Sequence, residues 1–416
     1  MWLYTQWILR PAQVADAAAS DRPRGNLSDL YPRWLGAREL LLHGRDPYSA
    51  EITREIQIGY YGRPIDAARP NDPKDQQGFA YPVYVAILLA PTVKLPFAWV
   101  QRGVFWLLIL VTAASVLFWM RAVGWRTSFL SQLIWIVLTL GCFPAIQGFK
   151  LQQLTLLVAG LIAGAFSAMA AGNLVVAGIL LALAAIKPQL VVLPAAVLCI
   201  WSLGNWRERQ RVVWSFGITM LAMIFGGEML LPGWIFRFRA ASADYLRYTG
   251  GGRSVLDVEL SPAVGRVVSV ILAALLIYFA WQLRRSEVRS SEFRWLLALT
   301  MATTLMVIPM FAPYNQVLLV PVLMVIAMEI RRLWREGPLC RLFAALTAAS
   351  VAWPWIAAAG LVAGLICLPA TVVQRAWAAP LFTNFFIPTL SLGLVLMGRG
   401  VITLGSDGRG AEAPHP

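Results

Sequence analysis

Histidine and cysteine are scarce in this 416-residue chain, which has two histidines, His43 and His415, and four cysteines. With so few imidazoles, a zinc site or a histidine-based catalytic triad has almost no material. Cys142, Cys199, Cys340 and Cys367 lie in or beside apolar blocks without paired spacing. They read as small buried residues, not as a disulfide framework or metal site. Charge is scarce too, at 13% of residues, against about 25% in soluble domains. A P-loop, a Rossmann fingerprint and nucleic-acid motifs are all missing. The net charge of +14 does not point to nucleic acid, because the basic residues fall in short loops between apolar blocks, where the positive-inside rule accounts for them.

What the chain has in quantity is apolar length. Hydrophobic residues make up 59% and there are 18 tryptophans; indoles collect at membrane interfaces. The apolar blocks approach the roughly 20 residues that span hydrocarbon, and in lipid such blocks must be helical. The expected fold is therefore an all-α, polytopic transmembrane bundle of about 10–12 membrane helices. Residues 1–9 read as a truncated first membrane helix. Residues 10–78 are polar, with ten Lys/Arg balanced by ten Asp/Glu, and read as an extracytoplasmic loop with short helices at 29–43 and 50–58. Residues 79–398 hold the transmembrane domain, with an outer loop at 232–260. The tail 399–416 reads as disordered. Arginine-rich loops at 121–126, 207–211, 284–294 and 331–341 fall on one side, the cytoplasmic one, if the block 82–96 does not cross. A competing count lets 82–96 cross and joins 173–203 into one helix broken at Lys187-Pro188; the two counts disagree about 121–127 and 145–152.

Ionisable groups at membrane depth are costly, so those outside the arginine loops carry information. Asp29 precedes a helical pattern and reads either as an N-cap or as a carboxylate poised at the membrane surface. Lys150 sits beside Gln152 and Gln153, and Lys187 precedes Pro188 and Gln189. Each lysine either snorkels or holds a phosphate. The outer loop interleaves Arg237, Arg239, Arg247 and Arg253 with aromatic residues, as an interfacial amphipathic helix or a lipid-phosphate clamp does. The run Gly250-Gly251-Gly252 before Arg253 offers backbone N–H groups to an anion.

The stretch Ser28-Asp29-Leu30-Tyr31, followed by Ala37-Arg38-Glu39-Leu40-Leu41 and Gly44-Arg45-Asp46-Pro47-Tyr48, resembles the N-terminal signature of glycosyltransferase family 87. These are membrane enzymes of the GT-C class, many of them polyprenyl-phosphate-mannose-dependent mannosyltransferases. Phe79-Ala80-Tyr81-Pro82, Gln152 to Leu157, Lys187-Pro188-Gln189 and Pro313-Tyr314-Asn315-Gln316 are similar to later family motifs, in order, over about residues 26–325. Val83 departs from a proline of that pattern and Gln152 from a glycine, while Tyr314 stands where some members carry histidine. The resemblance also implies a complete helix before Asp29.

The resemblance implies a GT-C bundle that transfers a sugar, mannose above all, from a polyprenyl-phosphate donor to an acceptor hydroxyl at the outer face. Asp29 would be the general base. Lys150, Lys187 and Arg253 are assigned from the chemistry as stabilisers of the departing phosphate. Tyr81, Gln153 and Asn315 would line the sugar and acceptor pocket. No metal or cofactor is called for beyond the lipid-linked donor. The partners would be that donor, a glycan or glycolipid acceptor and membrane lipids, and the location the bacterial plasma (inner) membrane with the site facing outward. Two other classes fit the same composition. A lipid or polysaccharide transporter or flippase would carry facing charges at the midplane. A non-catalytic envelope-assembly subunit would tolerate the departures at Val83, Gln152 and Tyr314.

Overall fold

The computed structural model describes residues 1–19, 27–66, 68–249, 252–309 and 311–404. Among the described residues there are helices and turns but no strands. The protein is an all-α membrane protein. Five helical stretches are long and apolar enough to cross a membrane: Phe97–Ala122, Trp206–Leu230, Pro262–Gln282, Pro338–Cys367 and Ala370–Met397. The pair Phe129–Gly141 and Phe143–Leu151, bent by 55°, makes a sixth if it is one span. Leu154–Ala170, Leu174–Ala184 and Pro188–Leu203 are shorter apolar helices; the last two pack against Trp206–Leu230 and leave side chains such as Val175 and Val192 exposed. Leu154–Ala170 is buried along nearly its whole length, so it faces protein rather than lipid.

Several boundaries differ from the sequence reading. Helical backbone runs from Trp2 to Ala19, through a short π-helical stretch at Thr5–Leu9. The expected break at residue 9 is therefore absent, and residues 10–19 continue the first helix instead of opening a loop. The block 82–96 does not form a long helix. It folds as Val85–Leu89 followed by the 3-10 turn Ala90–Thr92, because Pro91 and Pro96 deny helical hydrogen bonds. The tail expected to be disordered from 399 starts as helix Arg399–Leu404, tied down where the Ser291 hydroxyl donates to the Thr403 carbonyl at 2.6 Å. Residues 405–416 lie outside the described residues. The helices expected at 29–43 and 50–58 correspond to Leu30–His43 and Ala50–Tyr61.

The loops gather into two ends. At one, Arg209 stacks on Trp201 at 4.0 Å and donates to the carbonyls of Arg284 (2.7 Å) and Ser286 (2.9 Å). Arg289 donates to the Ala170 carbonyl at 2.9 Å, and Arg294 reaches that of Val123 at 3.4 Å. The arginine loops 121–126, 207–211 and 284–294 therefore meet. At the other end lie 28–31, 79–84, 151–155, 185–189 and the helix Trp234–Tyr248, joined by bonds such as Asp29 N–H to Leu151 carbonyl (3.0 Å) and Tyr84 hydroxyl to Ala185 carbonyl (2.7 Å). This arrangement fits the count in which 82–96 does not cross.

Candidate functional site

Three helix starts converge at the second end. Asp29 is the N-cap of Leu30–His43, Gln153 of Leu154–Ala170 and Lys187 of Pro188–Leu203. None of the three makes the side-chain capping bond that such positions ordinarily supply. Their side chains turn to one another instead. The Gln153 amide donates to Asp29 Oδ2, and its Oε1 accepts from the Lys187 ammonium at 3.0 Å. Lys187 also donates to the Thr155 hydroxyl at 2.7 Å, which in turn donates to Asn315 Oδ1 at 3.1 Å. The N-cap reading of Asp29 is right about its position and wrong about its side chain, which serves this chain of polar contacts.

Lys187 is only 7% exposed. A buried ammonium is costly unless its protons are bonded; here two go to Gln153 and Thr155, and the rings of Tyr314 and Tyr81 lie 5.2 and 5.7 Å away. Arg33, one turn after Asp29, is also buried. Its guanidinium stacks over Tyr81 at 4.7 Å and donates to the Asp29 carbonyl. Burial opposes the Arg33 charge, but the tyrosines and the Asp29 carboxylate around it outweigh that and hold it protonated. Tyr245, on the helix Trp234–Tyr248, has its phenol pushed up to about 12, chiefly by burial.

These groups line a cavity of about 210 Å³ that takes in Arg33, Tyr81, Gln153, Lys187, Tyr245 and Asn315. Two buried cations and the partial positive charge of the N-termini of Leu154–Ala170 and Pro188–Leu203 face it, a combination that favours an anion. The Asp29 carboxylate stands behind its wall. Oδ2 is held by Gln153, and Oδ1 is 3.5 Å from the Tyr60 hydroxyl, which belongs to a second cavity of about 600 Å³. The carboxylate thus links the linings of two chambers.

Of the residues singled out in the sequence, Asp29, Tyr81, Gln153, Lys187 and Asn315 come together. Lys150 does not join them: it lines the second chamber, where its ammonium donates to Gln13 at 3.1 Å. Arg253 is exposed and outside the cavity; the connection to the site region is through its carbonyl, which accepts from Phe311. Gly250 and Gly251 lie outside the described residues. Arg33, Thr155 and Tyr60 were missed. The spacing of Arg33, four residues after Asp29 on one helix, was the available signal; Tyr60 offered none, because its helix packs back from elsewhere in the loop.

Asp75 was missed as well. Its carboxylate accepts from the backbone and side chain of Gln77 at 2.9 and 3.0 Å. Burial pushes it above the usual carboxylate range, with Asp29 adding to the shift and Gln77 and Arg33 opposing it. Among the described residues no group of His, Cys, Asp or Glu is arranged to hold a metal ion. No family model, curated protein or solved structure matches this chain.

Proposed function

We propose that the protein is a membrane glycosyltransferase that moves a sugar from a polyprenyl-phosphate donor to an acceptor hydroxyl, in keeping with its resemblance to glycosyltransferase family 87 and the GT-C class. The observation that carries this reading is the hydrogen-bonded chain Lys187–Gln153–Asp29, which couples a cationic cavity to a half-buried carboxylate through one amide. The donor phosphate would sit by Lys187 and Arg33. An apolar groove of about 630 Å³, lined by Trp135, Leu323 and Trp355 among others, adjoins the segment Pro313–Leu319 that also walls the cavity. We assign the prenyl chain to it.

In the proposed reaction Asp29 takes the proton of the acceptor hydroxyl as its oxygen attacks the anomeric carbon. The bond from that carbon to the phosphate oxygen breaks, and the electron pair leaves with the polyprenyl phosphate. Lys187, Arg33 and the two helix N-termini stabilise the charge that grows on this leaving group. The positive-inside rule puts the arginine-loop end in the cytoplasm, and so the cavity on the outer side. A transporter reading has less support: the buried cations Lys187 and Arg33 lie at helix starts, at one end of the bundle, rather than facing one another at its middle.

The test is release of polyprenyl phosphate from a polyprenyl-phosphate-sugar by purified protein supplied with a lipid extract of its host. Asp29→Asn keeps the shape and removes the base, so transfer should drop by about 10²–10⁴-fold without loss of folding. Wild-type turnover in Asp29→Asn would rule out Asp29 as the base.

A further inference from the structure

The second chamber has a different chemistry from the first. It is walled by five glutamines, Gln6, Gln13, Gln77, Gln101 and Gln147, together with Ser28 and the paired rings of Tyr60 and Tyr61, whose centroids are 4.9 Å apart. Its charged groups are of both signs, Arg10 and Lys150 against Asp16. The volume of about 600 Å³ lies within the range of ligand sites. Gln6, Arg10, Gln13 and Ala17 follow one another at helical spacing, so one stripe of the first helix forms a wall. The same helix exposes Trp2, Leu3 and Trp7 elsewhere on its surface. It thus presents apolar side chains outward and amides to the chamber. Gln147 also lines the chamber; its Oε1 atom is shielded from solvent and has no hydrogen-bond partner among the described residues, and a buried acceptor left without a donor costs about 1–3 kcal/mol.

We infer that this chamber is the acceptor site and that the acceptor is a carbohydrate, whose hydroxyls the glutamine amides recognise. An amide side chain carries a donor and an acceptor side by side, which matches neighbouring hydroxyls that both give and take hydrogen bonds. An anionic ligand would find acceptor oxygens as readily as donors here, whereas a polyhydroxylated ring uses both. The Tyr60 and Tyr61 rings add apolar faces with polar tips. Location supports the same assignment. Tyr60 ties the chamber to Asp29 Oδ1 while Gln153 ties the donor cavity to Oδ2, so a sugar hydroxyl entering past Tyr60 approaches the base from the side away from the donor phosphate. The acceptor role rests on the transferase reading; the carbohydrate site does not.

The probe is a pool of octyl glycosides of mannose, glucose and galactose carrying a diazirine on the sugar, photolysed with the purified protein in nanodiscs and mapped by peptide mass spectrometry. Label should fall on residues 6–17 and 147–151. Gln147→Leu, which keeps the volume and removes the amide, should weaken labelling by about 3–10-fold, the equivalent of one hydrogen bond. It should raise the KM for the alkyl glycoside by the same factor. Donor cleavage with no label in the chamber overturns the acceptor site alone. Label in the chamber without any donor cleavage removes the transferase reading and leaves a carbohydrate site standing. Equal labelling of wild type and Gln147→Leu overturns recognition by the amide.

Discussion

Lys187 carries two costs: a buried ammonium, and an N-cap position without a capping bond. Lys187→Met removes the desolvated charge but leaves Gln153 Oε1 without its donor, a cost of about 1–3 kcal/mol. The two act in opposite directions, so the thermal midpoint of the purified protein should fall only modestly, while sugar transfer drops by roughly 10²-fold or more, the scale of one lost charge stabiliser. A parallel loss of folding and transfer would make Lys187 a structural residue. Gln152 shows the opposite balance. It ends the helix Phe143–Leu151 at φ +51°, a left-handed conformation that suits the glycine of the family pattern better. Its side chain compensates by accepting from Ser28 and donating to the Gln101 carbonyl. Gln152→Gly relieves about 1 kcal/mol of backbone cost but loses two buried bonds of about 0.5–1.5 kcal/mol each, so the midpoint should fall slightly. Asp75 gives the pH dependence. Its pKa is raised on folding, chiefly by burial, so its contribution to stability is fully present below the unfolded carboxylate value and is lost as pH rises through the folded one. Asp29, Arg33, Tyr60, Tyr61, Tyr245 and Tyr248 surround it electrostatically. Asp75→Asn should raise the thermal midpoint at about pH 7, and the difference from wild type should shrink as pH is lowered toward and below the ordinary aspartate value of about 3.9. Residue types and motif order brought Asp29, Tyr81, Gln153, Lys187 and Asn315 within reach of the sequence. Lys150 and Arg253 went astray because a basic residue near an apolar block has no direction until the helices are packed.

At the scale of elements, apolar length was legible and packing was not. Composition alone marks Phe97–Ala122 as a span. It cannot tell that Leu154–Ala170 is enclosed by protein while Trp206–Leu230 is largely exposed, because both are apolar. The prolines of 82–96 were visible, but their effect on an apolar block depends on what the block packs against. Small residues decide how closely the inner helices approach. A Cβ at Gly178 would collide with the Val212 carbonyl oxygen and stand 2.8 Å from the Phe216 amide nitrogen. These are backbone atoms of Trp206–Leu230 and cannot swing aside. Gly178→Leu must therefore push Leu174–Ala184 and Trp206–Leu230 apart. The expected cost is about 1–3 kcal/mol or more, read as a lower thermal midpoint and a broadened elution profile. Gly217→Leu, on the same long helix but with open space at its Cβ position, is the control that should change neither.

For the whole molecule the decisive feature is that its two ends differ in kind. One is built from arginine loops that cap helix ends and bind one another's carbonyls, as Arg209 and Arg289 do. The other collects helix starts, tyrosines and the polar segment around two cavities. The sequence supplied the charge asymmetry but left the side of 121–127 open, because that depended on whether 82–96 crosses. The bond from Arg294 to the Val123 carbonyl puts this loop with the other arginines. The positive-inside rule then makes a prediction about orientation that does not depend on any activity. In a background with Cys142, Cys199, Cys340 and Cys367 replaced by serine, Arg69→Cys in the polar segment and Arg285→Cys in an arginine loop each expose a single thiol. A membrane-impermeant maleimide applied to intact cells, with the outer membrane opened where there is one, should label Arg69→Cys fully. Arg285→Cys should react only after the inner membrane is breached. The reverse pattern would put both cavities in the cytoplasm, where a donor presented from the outer leaflet cannot reach Lys187, and the proposed reaction would have to be abandoned even with every contact around Asp29 intact.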